Sequence, residues 1–456
     1  MNNKATHNNP NVIARSESDE AISSTNASLQ GESMLSEAEV KQSVPLVPQL
    51  RFAEFEGEWV NCKLGDVSNY TKGFAFKSKD YREEGIRIIR VSDLSADSIK
   101  KDNDKVYISE SVARDYKKYE LKSGNIIITT VGSKPEMIES AVGRGIYIQK
   151  NEGLLNQNML KFENIKGVQN SFLIGLINNK RYQHYMKSIA RGNANQANIT
   201  VVDLLQYKIS IPTLPEQQKI ASFLTAVDTK TQQLTQKKNL LEQYKKGVMQ
   251  QLFSQQLRFK QPDGSDYPDW EEKKLGEIAE RVAVKNVANE VNFVLTNSAT
   301  QGIVSQQEYF DKDIANQNNL QGYYIVSKDD FVYNPRISTS APVGPIKRNK
   351  LKKGVMSPLY SVFRFSEPLL EYFEHNFETI NWHRYLHSVA NFGARHDRMN
   401  ITNSDFFKMP IPMPCIEERK KITNYLSALD SKIESVAQQI EKTQEFKKGL
   451  LQQMFM

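Results

Sequence analysis

The sequence predicts an α/β fold class with two α/β domains, each followed by a long helix. The two helices are expected to pair as an antiparallel coiled coil with pseudo-two-fold symmetry. Three observations predict this architecture: strings recur about 200 residues apart, they flank two variable segments, and each copy ends in an apolar heptad repeat. A period of about 200 residues is far too long for a solenoid unit and suits two domains of common size.

The repeated strings mark equivalent positions in an internal duplication. They are KKGVMQQLF at 245–253 with KKGLLQQMF at 447–455, QLRF at 49–52 with 256–259, and NIT at 198–200 with 400–402. A tryptophan also precedes KLG in both copies, as Trp59 and Trp270. The offset between matched residues drifts from 200 to 211, so the copies differ in length inside their variable middles.

Each variable middle contains short apolar runs that predict strands and one longer run that predicts a helix. The expected strands are residues 86–91, 125–131 and 145–149 in the first copy and residues 323–326, 330–334 and 359–365 in the second. The expected helices are residues 171–190 and residues 369 to about 390. The polar segments between these elements are the expected working surfaces.

Repeats and composition together divide the chain into six expected segments. These are a disordered acidic tail at 1–48, a first domain at 49–212, a first spacer helix at 213–253, a linker at 254–268, a second domain at 269–412 and a second spacer helix at 413–456. The tail is rich in Asn, Ser and Glu and poor in aromatic residues, a composition that cannot offset the entropy of ordering.

Charge and cysteine content narrow the class of protein. The chain has a formal net charge of +7, and its tail holds three basic and six acidic residues, so the remainder carries +10. This surplus favours a polyanionic partner. Cys62 and Cys415 can form neither a disulfide framework nor a zinc cluster. No apolar run approaches the ~18 residues of a membrane span, and we expect a cytoplasmic protein with no membrane partner.

The two long helices carry apolar residues at every seventh position, with polar breaks that could fix their register. The seam residues are Ile220, Val227, Leu234, Leu241, Val248, Ile422, Leu429, Val436 and Leu450. At about 1.5 Å per residue, such a helix is roughly 57 Å long. Antiparallel pairing would place the two domains at opposite ends. The alternative is that each helix packs only on its own domain.

Three polar segments, at 71–81, 191–198 and 392–400, are candidates for contacting a polyanion. Amide and guanidinium groups pair with purine edges, and lysines suit phosphates. The candidate DNA-binding residues are Lys72, Phe74, Lys77, Lys79, Arg191, Asn193, Asn195, Gln196, Asn198, Arg336, Arg395, His396, Arg398 and Asn400. Loops rich in Asn and Gly are also often simple turns. Corresponding loops of the two copies differ in sequence, which favours recognition of two different sites.

Motifs of catalysis are missing from the sequence. There is no GxxxxGK[ST] phosphate loop, no GxGxxG after a strand and no NPP[FY] of amino-methyltransferases. His383 and His387 have i,i+4 spacing, but no Glu follows the first, and a surface helix explains them better than a metal site. Pro262 and Asp263 with residues 272–274 resemble a nuclease PD…ExK motif only loosely. We therefore expect no catalytic residue and no metal on this chain.

The order, spacing and duplication of these strings resemble the specificity (S) subunit of type I restriction-modification systems. The resemblance covers residues 49–456 and rests on KLGDVSNYTKGFAFKS, on IP-x-L-PEQQKIASFL at 211–224 and on the helix ending KKGVMQQLF. The second copy departs at 413–418, where MPCIEE has one residue more than TLPEQ. We expect this departure to change a turn rather than the role of the segment.

The resemblance implies a non-catalytic subunit whose two domains are target-recognition domains. Each would bind one half of a bipartite double-stranded DNA sequence, while the helices set the spacing and dock the partners. Those partners would be two modification (methyltransferase) subunits and two ATP-dependent restriction subunits, which translocate and cut DNA. S-adenosylmethionine, ATP and Mg would bind to the partners, with no cofactor on this chain. The alternatives are a free-standing DNA-binding regulator, a self-sufficient methyltransferase and a structural coiled-coil protein.

Overall fold

The first half of the chain forms its strands where β-branched and aromatic residues cluster. The computed structural model describes residues 47–134, 142–163, 167–193, 196–310, 320–391 and 397–455. The first-half strands are β1 (Val60–Lys63), β2 (Asn69–Lys72), β3 (Ile86–Ile89), β4 (Val106–Ile108), β5 (Glu120–Leu121), β6 (Ile126–Thr129), β7 (Val131–Gly132), β8 (Gly145–Tyr147), β9 (Gly153–Leu155), β10 (Met159–Glu163), β11 (Arg191–Asn193), β12 (Gln196–Asn198) and β13 (Lys208–Ile211). Its helices are α1 (Glu110–Ala113), α2 (Asn170–Ile177), α3 (Lys180–Ile189), α4 (Val201–Leu205) and α5 (Leu214–Phe253).

The second half forms elements of the same kinds. Its strands are β14 (Glu271–Lys274), β15 (Ala279–Val282), β16 (Leu295–Ser298), β17 (Gly302–Ser305), β18 (Tyr324–Val326), β19 (Phe331–Tyr333), β20 (Ile346–Arg348), β21 (Gly354–Met356), β22 (Ser361–Phe365) and β23 (Pro410–Met413). Its helices are α6 (Leu275–Ile278), α7 (Gln306–Phe310), α8 (Leu370–Glu378), α9 (His383–Val389), α10 (Asn403–Phe407) and α11 (Ile416–Gln453). Except for residues 47 and 48, the expected disordered tail lies outside the described residues.

Both halves contain a four-stranded antiparallel sheet with the same strand order. The order is β2-β10-β6-β8 in the first half and β15-β22-β19-β20 in the second. In the first sheet, Ile126 and Ile128 of β6 pack into the core that contains α2 and α3. Ile127, on the opposite face, packs with Ile89 and Leu155 of a second sheet. This alternation explains why the whole of β6 is buried.

The fold is mixed helix and sheet, as predicted, and its strands pair almost entirely antiparallel. Among the named strands of the described residues, only β3 and β9 pair in parallel. The predicted strands in both middles are present. The two predicted helices, in contrast, are each divided into two. In the first, the Asn179 side chain accepts a hydrogen bond from the Tyr182 N–H and so begins α3 as a separate helix.

The two long helices contact each other in antiparallel order. Lys245 Nζ lies 2.7 Å from Asp430 Oδ1, and Lys447 Nζ lies 2.6 Å from Asp228 Oδ1. Residues late in each helix therefore meet residues early in the other. These lysines occupy polar breaks of the heptad pattern, so the ion pairs favour one register. Of the nine seam residues, all but the half-buried Leu241 are buried.

Each long helix packs on both halves of the chain. The N-terminal part of α5 contributes Ile220 to the first-half core, whereas its last residue, Phe253, packs in the second-half core. Phe253 lies with its ring centre 5.5 Å from that of Tyr372. Reciprocally, Phe455 after α11 lies 5.2 Å from the ring of Phe172 in the first half. The alternative of helices packed only on their own domains does not describe this arrangement.

A buried carboxylate fixes the start of each long helix. Glu216 accepts two hydrogen bonds of 2.7 Å from the Arg51 guanidinium and one of 3.2 Å from Trp59 Nε1. In the second half, Glu418 accepts equivalent bonds from Arg258 and Trp270. Both glutamates lie in the first helical turn, where the helix dipole favours negative charge. The repeated QLRF and tryptophan thus belong to one repeated structural feature.

The segments that precede the two halves bind the ends of the long helices in the same way. The Leu257 N–H donates to the Gln251 carbonyl at 3.1 Å, immediately after α5. The Leu50 N–H donates to the Gln453 carbonyl at 2.9 Å, at the end of α11. The first contact joins neighbours in sequence, and the second joins residues from opposite ends of the chain. Among the described residues, no helix is both long and apolar enough to cross a membrane.

Candidate nucleic-acid interface

Within the segment RGNANQAN of the first half, residues 191–193 and 196–198 form strands. Strands β11 and β12 pair antiparallel, and β12 also pairs with β7. We call β7, β11 and β12 the first polar ribbon. Gly192 has a φ of +133°, and a Cβ there would collide with the Gln196 carbonyl. The pairing of β11 with β12 therefore requires glycine at this position.

Alternation along β12 exposes the polar side chains of the first ribbon. Gln196 and Asn198 are exposed, while Ala197 between them is buried. Arg191 is exposed and pairs with Asp203, with Nη2 2.9 Å from Oδ2. Exposed ion pairs contribute little stability, so the guanidinium can exchange this partner for a ligand. The ribbon presents amide and guanidinium groups to solvent.

A second polar ribbon occupies the corresponding place in the second half. Its backbone bridges pair Arg336 with Arg398 and Asn391 with Asn400. Met399 is buried between Arg398 and Asn400, as Ala197 is in the first ribbon. The two arginines were predicted from segments 62 residues apart in sequence, and the fold makes them neighbours.

One carboxylate lies between the arginines of the second ribbon. Asp397 Oδ2 is 3.7 Å from Arg336 Nε and 4.0 Å from Arg398 Nε. Such long contacts hold the guanidinium groups weakly. Neither Asp203 nor Asp397 was predicted from the sequence. The Thr200-x-x-Asp203 spacing, typical of a helix N-cap, could have drawn attention to the first because the Thr200 side chain accepts from the Asp203 N–H.

The lysine-rich segment at 71–81 lies beside the first ribbon. The Gly73 N–H donates to the Met159 carbonyl at 2.9 Å, and the Thr130 N–H donates to the adjoining Asn158 carbonyl at 2.8 Å. Lys72, at the end of β2, is therefore brought close to the start of β7. The candidate lysines of this segment, Lys72, Lys77 and Lys79, are all exposed.

Phe74 packs within the protein. Its ring centre lies 4.7 Å from that of Tyr116, 5.3 Å from Tyr119 and 5.1 Å from Phe76, and its side chain is half-buried. The candidates Asn195, Arg395 and His396 lie outside the described residues, and of Asn193 only the backbone is described. No group of three or more possible metal ligands occurs within the described part of the chain.

Tyrosines anchor the helix before each ribbon. Tyr185 of α3 donates its hydroxyl to the Asp203 carbonyl at 2.6 Å, and Tyr385 of α9 donates to the Asp405 carbonyl at 2.7 Å. Burial, with the nearby Asp203 carboxylate, raises the pKa of Tyr185. The pKa of Tyr385 is raised in the same way by burial and by Asp405. These phenols remain protonated hydrogen-bond donors at neutral pH.

Comparison with known proteins gives one consistent family. A family model described as type I restriction modification DNA specificity domain matches residues 56–243. The putative type I restriction enzyme MjaX specificity subunit of Methanocaldococcus jannaschii is 25% identical over 424 residues, covering 87% of this chain and 93% of that protein. The type I restriction enzyme EcoAI specificity subunit of Escherichia coli is 28% identical over 198 residues, covering 41% of this chain and 32% of that protein.

A solved structure supports the fold. The crystal structure of the type I restriction-modification system S subunit from M. genitalium aligns with a TM-score of 0.52 at 14% identity, covering 90% of this chain and 99% of that chain. At this identity the likeness concerns the fold alone. The matched family model and the nearly full-length relative lead to one conclusion: residues 56–243 match the type I restriction modification DNA specificity domain, and the chain as a whole is similar to type I restriction-modification specificity subunits.

Proposed function

We propose that this chain provides the DNA sequence specificity of a type I restriction-modification complex by recognising a bipartite double-stranded target. Each half of the chain would bind one half-site. The observation that carries the proposal is the recurrence of a polar ribbon beside sheets of the same strand order, with different side chains in the two halves. Equivalent scaffolds with different contact groups suit two different DNA sequences.

Base recognition is assigned to the exposed side chains of the ribbons. Gln196 and Asn198 present amides, which pair bidentately with adenine. Arg336 and Arg398 present guanidinium groups, which pair bidentately with guanine O6 and N7. Exposed lysines at 72, 77 and 79 would contact phosphates, which fix orientation without selecting sequence.

The helices α5 and α11 are proposed to form an antiparallel coiled coil between two target-recognition domains, residues 49–212 and 269–412. The pseudo-two-fold axis of this internal duplication would set the half-sites about one helical turn of DNA apart, ~34 Å. Support comes from the buried seam, the two interhelical ion pairs and the reciprocal packing of Phe253 and Phe455.

The chemistry is assigned to partner subunits. Two modification subunits carrying S-adenosylmethionine would dock on the helices, and two restriction subunits would supply ATP- and Mg-dependent translocation and cleavage. Methylation of a base requires its extrusion from the duplex into a partner pocket. In this assignment the chain holds no cofactor and performs no catalytic step; it positions the duplex. The similarity to type I specificity subunits supports this division of roles.

The test is to co-express the chain with its modification subunit and to map methylated adenines across the host genome by single-molecule sequencing. A split motif with a fixed gap is the expected result. A matched strain lacking only this chain controls for methylation by the host. Methylation of a continuous motif, or none from a stable complex, would contradict the proposal.

A further inference from the structure

A basic helix face lies immediately before the first polar ribbon. Lys180, His184 and Lys187 are all exposed and follow i, i+4, i+7 spacing, so they lie on one side of α3. We call these three residues the basic face. Tyr182 and Met186 are buried on the opposite side of the helix. α3 ends at Ile189, two residues before Arg191 of the ribbon.

The two basic residues at the start of α3 do not serve the stability of the helix. Its sequence, KRYQHYMKSI, contains no acidic residue, although the chain has 53. Lys180 and Arg181 occupy the first turn, where the helix dipole disfavours positive charge. Only Lys187, in the last turn, has the sign that the dipole favours. A role outside the helix better explains the basic residues at its start.

The second half repeats two of the three positions of the basic face with different residues, whereas the exposed Ile380 stands at the position of Lys180. At an offset of 200, Arg384 corresponds to His184 and His387 corresponds to Lys187, and both are exposed on α9. α9 also lacks acidic residues and begins with His383 and Arg384. The positive or protonatable character of these outward positions is therefore kept in both copies while their identities differ. Sequence-independent attraction to a polyanion explains this pattern better than base recognition.

We propose that the basic face of α3, and Arg384 with His387 on α9, contact the DNA phosphate backbone next to each half-site. This inference rests on the proposed function, because it takes the adjoining ribbons as the base-contacting surface. The Tyr185 and Tyr385 hydroxyls hold both helices to the segments that follow the ribbons, so the orientation of each helix is fixed. The helices would act as phosphate clamps that set the angle of the duplex.

The experiment uses the full chain in complex with its modification subunit. The variant Lys180→Gln/Lys187→Gln removes two charges and keeps good helix-forming residues. Each lost phosphate contact reduces the magnitude of the slope of log K against log salt by about 0.9. We expect the slope to fall by about 2, with affinity lost equally for target and mismatched DNA. The matched control Lys101→Gln/Lys105→Gln changes two exposed lysines of the segment between β3 and β4 and should leave the slope unchanged.

Two further variants separate the possible outcomes. Lys180→Arg/Lys187→Arg keeps the charges and should keep the slope. Arg384→Gln/His387→Gln should lower the slope by about 1 or more. An unchanged slope in the α3 glutamine variant, with a normal circular dichroism spectrum, would overturn the inference. If the glutamine variant instead loses the modification subunit, the face binds protein and the inference is wrong. A wild-type complex that methylates no split motif would count against the proposed function, independently of these slopes.

Discussion

Gln196 and Arg398 stand at corresponding places in the two polar ribbons, separated by the 202-residue offset that relates the two NIT strings. Each precedes a buried residue, Ala197 or Met399; the Gln196 side chain is exposed and that of Arg398 is half-buried. The difference between an amide and a guanidinium at one structural position provides a chemical basis for two unlike half-sites.

Replacing Gln196 by Ala should relax the first half-site alone, and replacing Arg398 by Ala should relax the second alone. Loss of a bidentate base contact costs about 1–3 kcal/mol of discrimination. Methylome mapping of each variant complex measures the effect directly at both half-sites. Equal loss at both half-sites would point to misfolding or to phosphate contacts and would contradict the assignment.

Glu378 is held ionised at the junction of α8 with the two long helices. Burial would raise its pKa, but His375 and Lys245 outweigh burial and lower it to about 2. Lys245 Nζ donates to Glu378 Oε2 at 2.8 Å and also pairs with Asp430. The first half has Asn178 at the position 200 residues earlier, so the two ends of the helix pair are not chemically equivalent.

The substitution Glu378→Gln should therefore destabilise the protein at pH 7 by about 2 kcal/mol, the usual contribution of a hydrogen bond to a charged group. Because the pKa is lowered from about 4.5 in an unfolded chain, this stabilisation is present above pH ~4.5 and is lost as the pH falls toward 2. Urea unfolding midpoints between pH 7 and pH 3 would measure the difference. Exposed Glu441→Gln on α11 is the matched control, and a gap between wild type and Glu378→Gln that widens on acidification would refute the argument.

At the scale of elements, the paired helices are expected to act as a ruler. Deleting residues 231–237 from α5 and 433–439 from α11 removes one heptad from each helix and leaves both lysine–aspartate pairs intact. At about 1.5 Å per residue the pair shortens by roughly 10 Å, or about three base pairs. The gap in the methylated motif should shorten by that amount, or recognition should be lost. An unchanged gap would exclude the ruler.

The sequence predicted the long helices well because their heptads extend over five repeats, and α5 (Leu214–Phe253) lies entirely within the expected 213–253. The sequence did not predict that each of the two shorter helices is divided into two. An apolar run such as residues 171–177 continues smoothly into 180–190, and only the cap formed by Asn179 divides them. A cap of about 1 kcal/mol has no periodicity that a pattern search could detect.

The polar ribbons were predicted only in part. The amide- and arginine-rich strings were visible in sequence, but the pairing of β12 with β7 joins residues more than 60 positions apart. The same is true of Arg336 and Arg398. Local patterns contain no information about such long-range contacts. For the same reason, the sequence could not show that Phe253 packs on the second half and Phe455 on the first.

At the scale of the whole molecule, each half depends on a helix end that comes from the other half. Phe455 packs on Phe172, and a Cβ at Gly175 would collide with the Phe455 ring. Phe253 packs correspondingly on Tyr372. The two halves therefore share their cores, and the unfolding of one half should expose apolar surface of the other.

The hydrogen bond from Leu50 to the Gln453 carbonyl repeats the bond from Leu257 to Gln251, although only three residues, 254–256, separate Phe253 from Leu257 along the chain. The folded chain from Leu50 to Phe455 therefore has two equivalent junctions. At the end of α5 the junction is the covalent segment 254–256, and at the end of α11 it is the hydrogen bond of Leu50. A circular permutant that begins at Gln256 and joins Phe455 to Gln49 through Ser-Gln should fold and direct methylation to the same split motif. If the permutant folds but directs methylation to another motif, the two junctions are not equivalent. If the motif is unchanged, the junctions are equivalent and the chain can begin at either one.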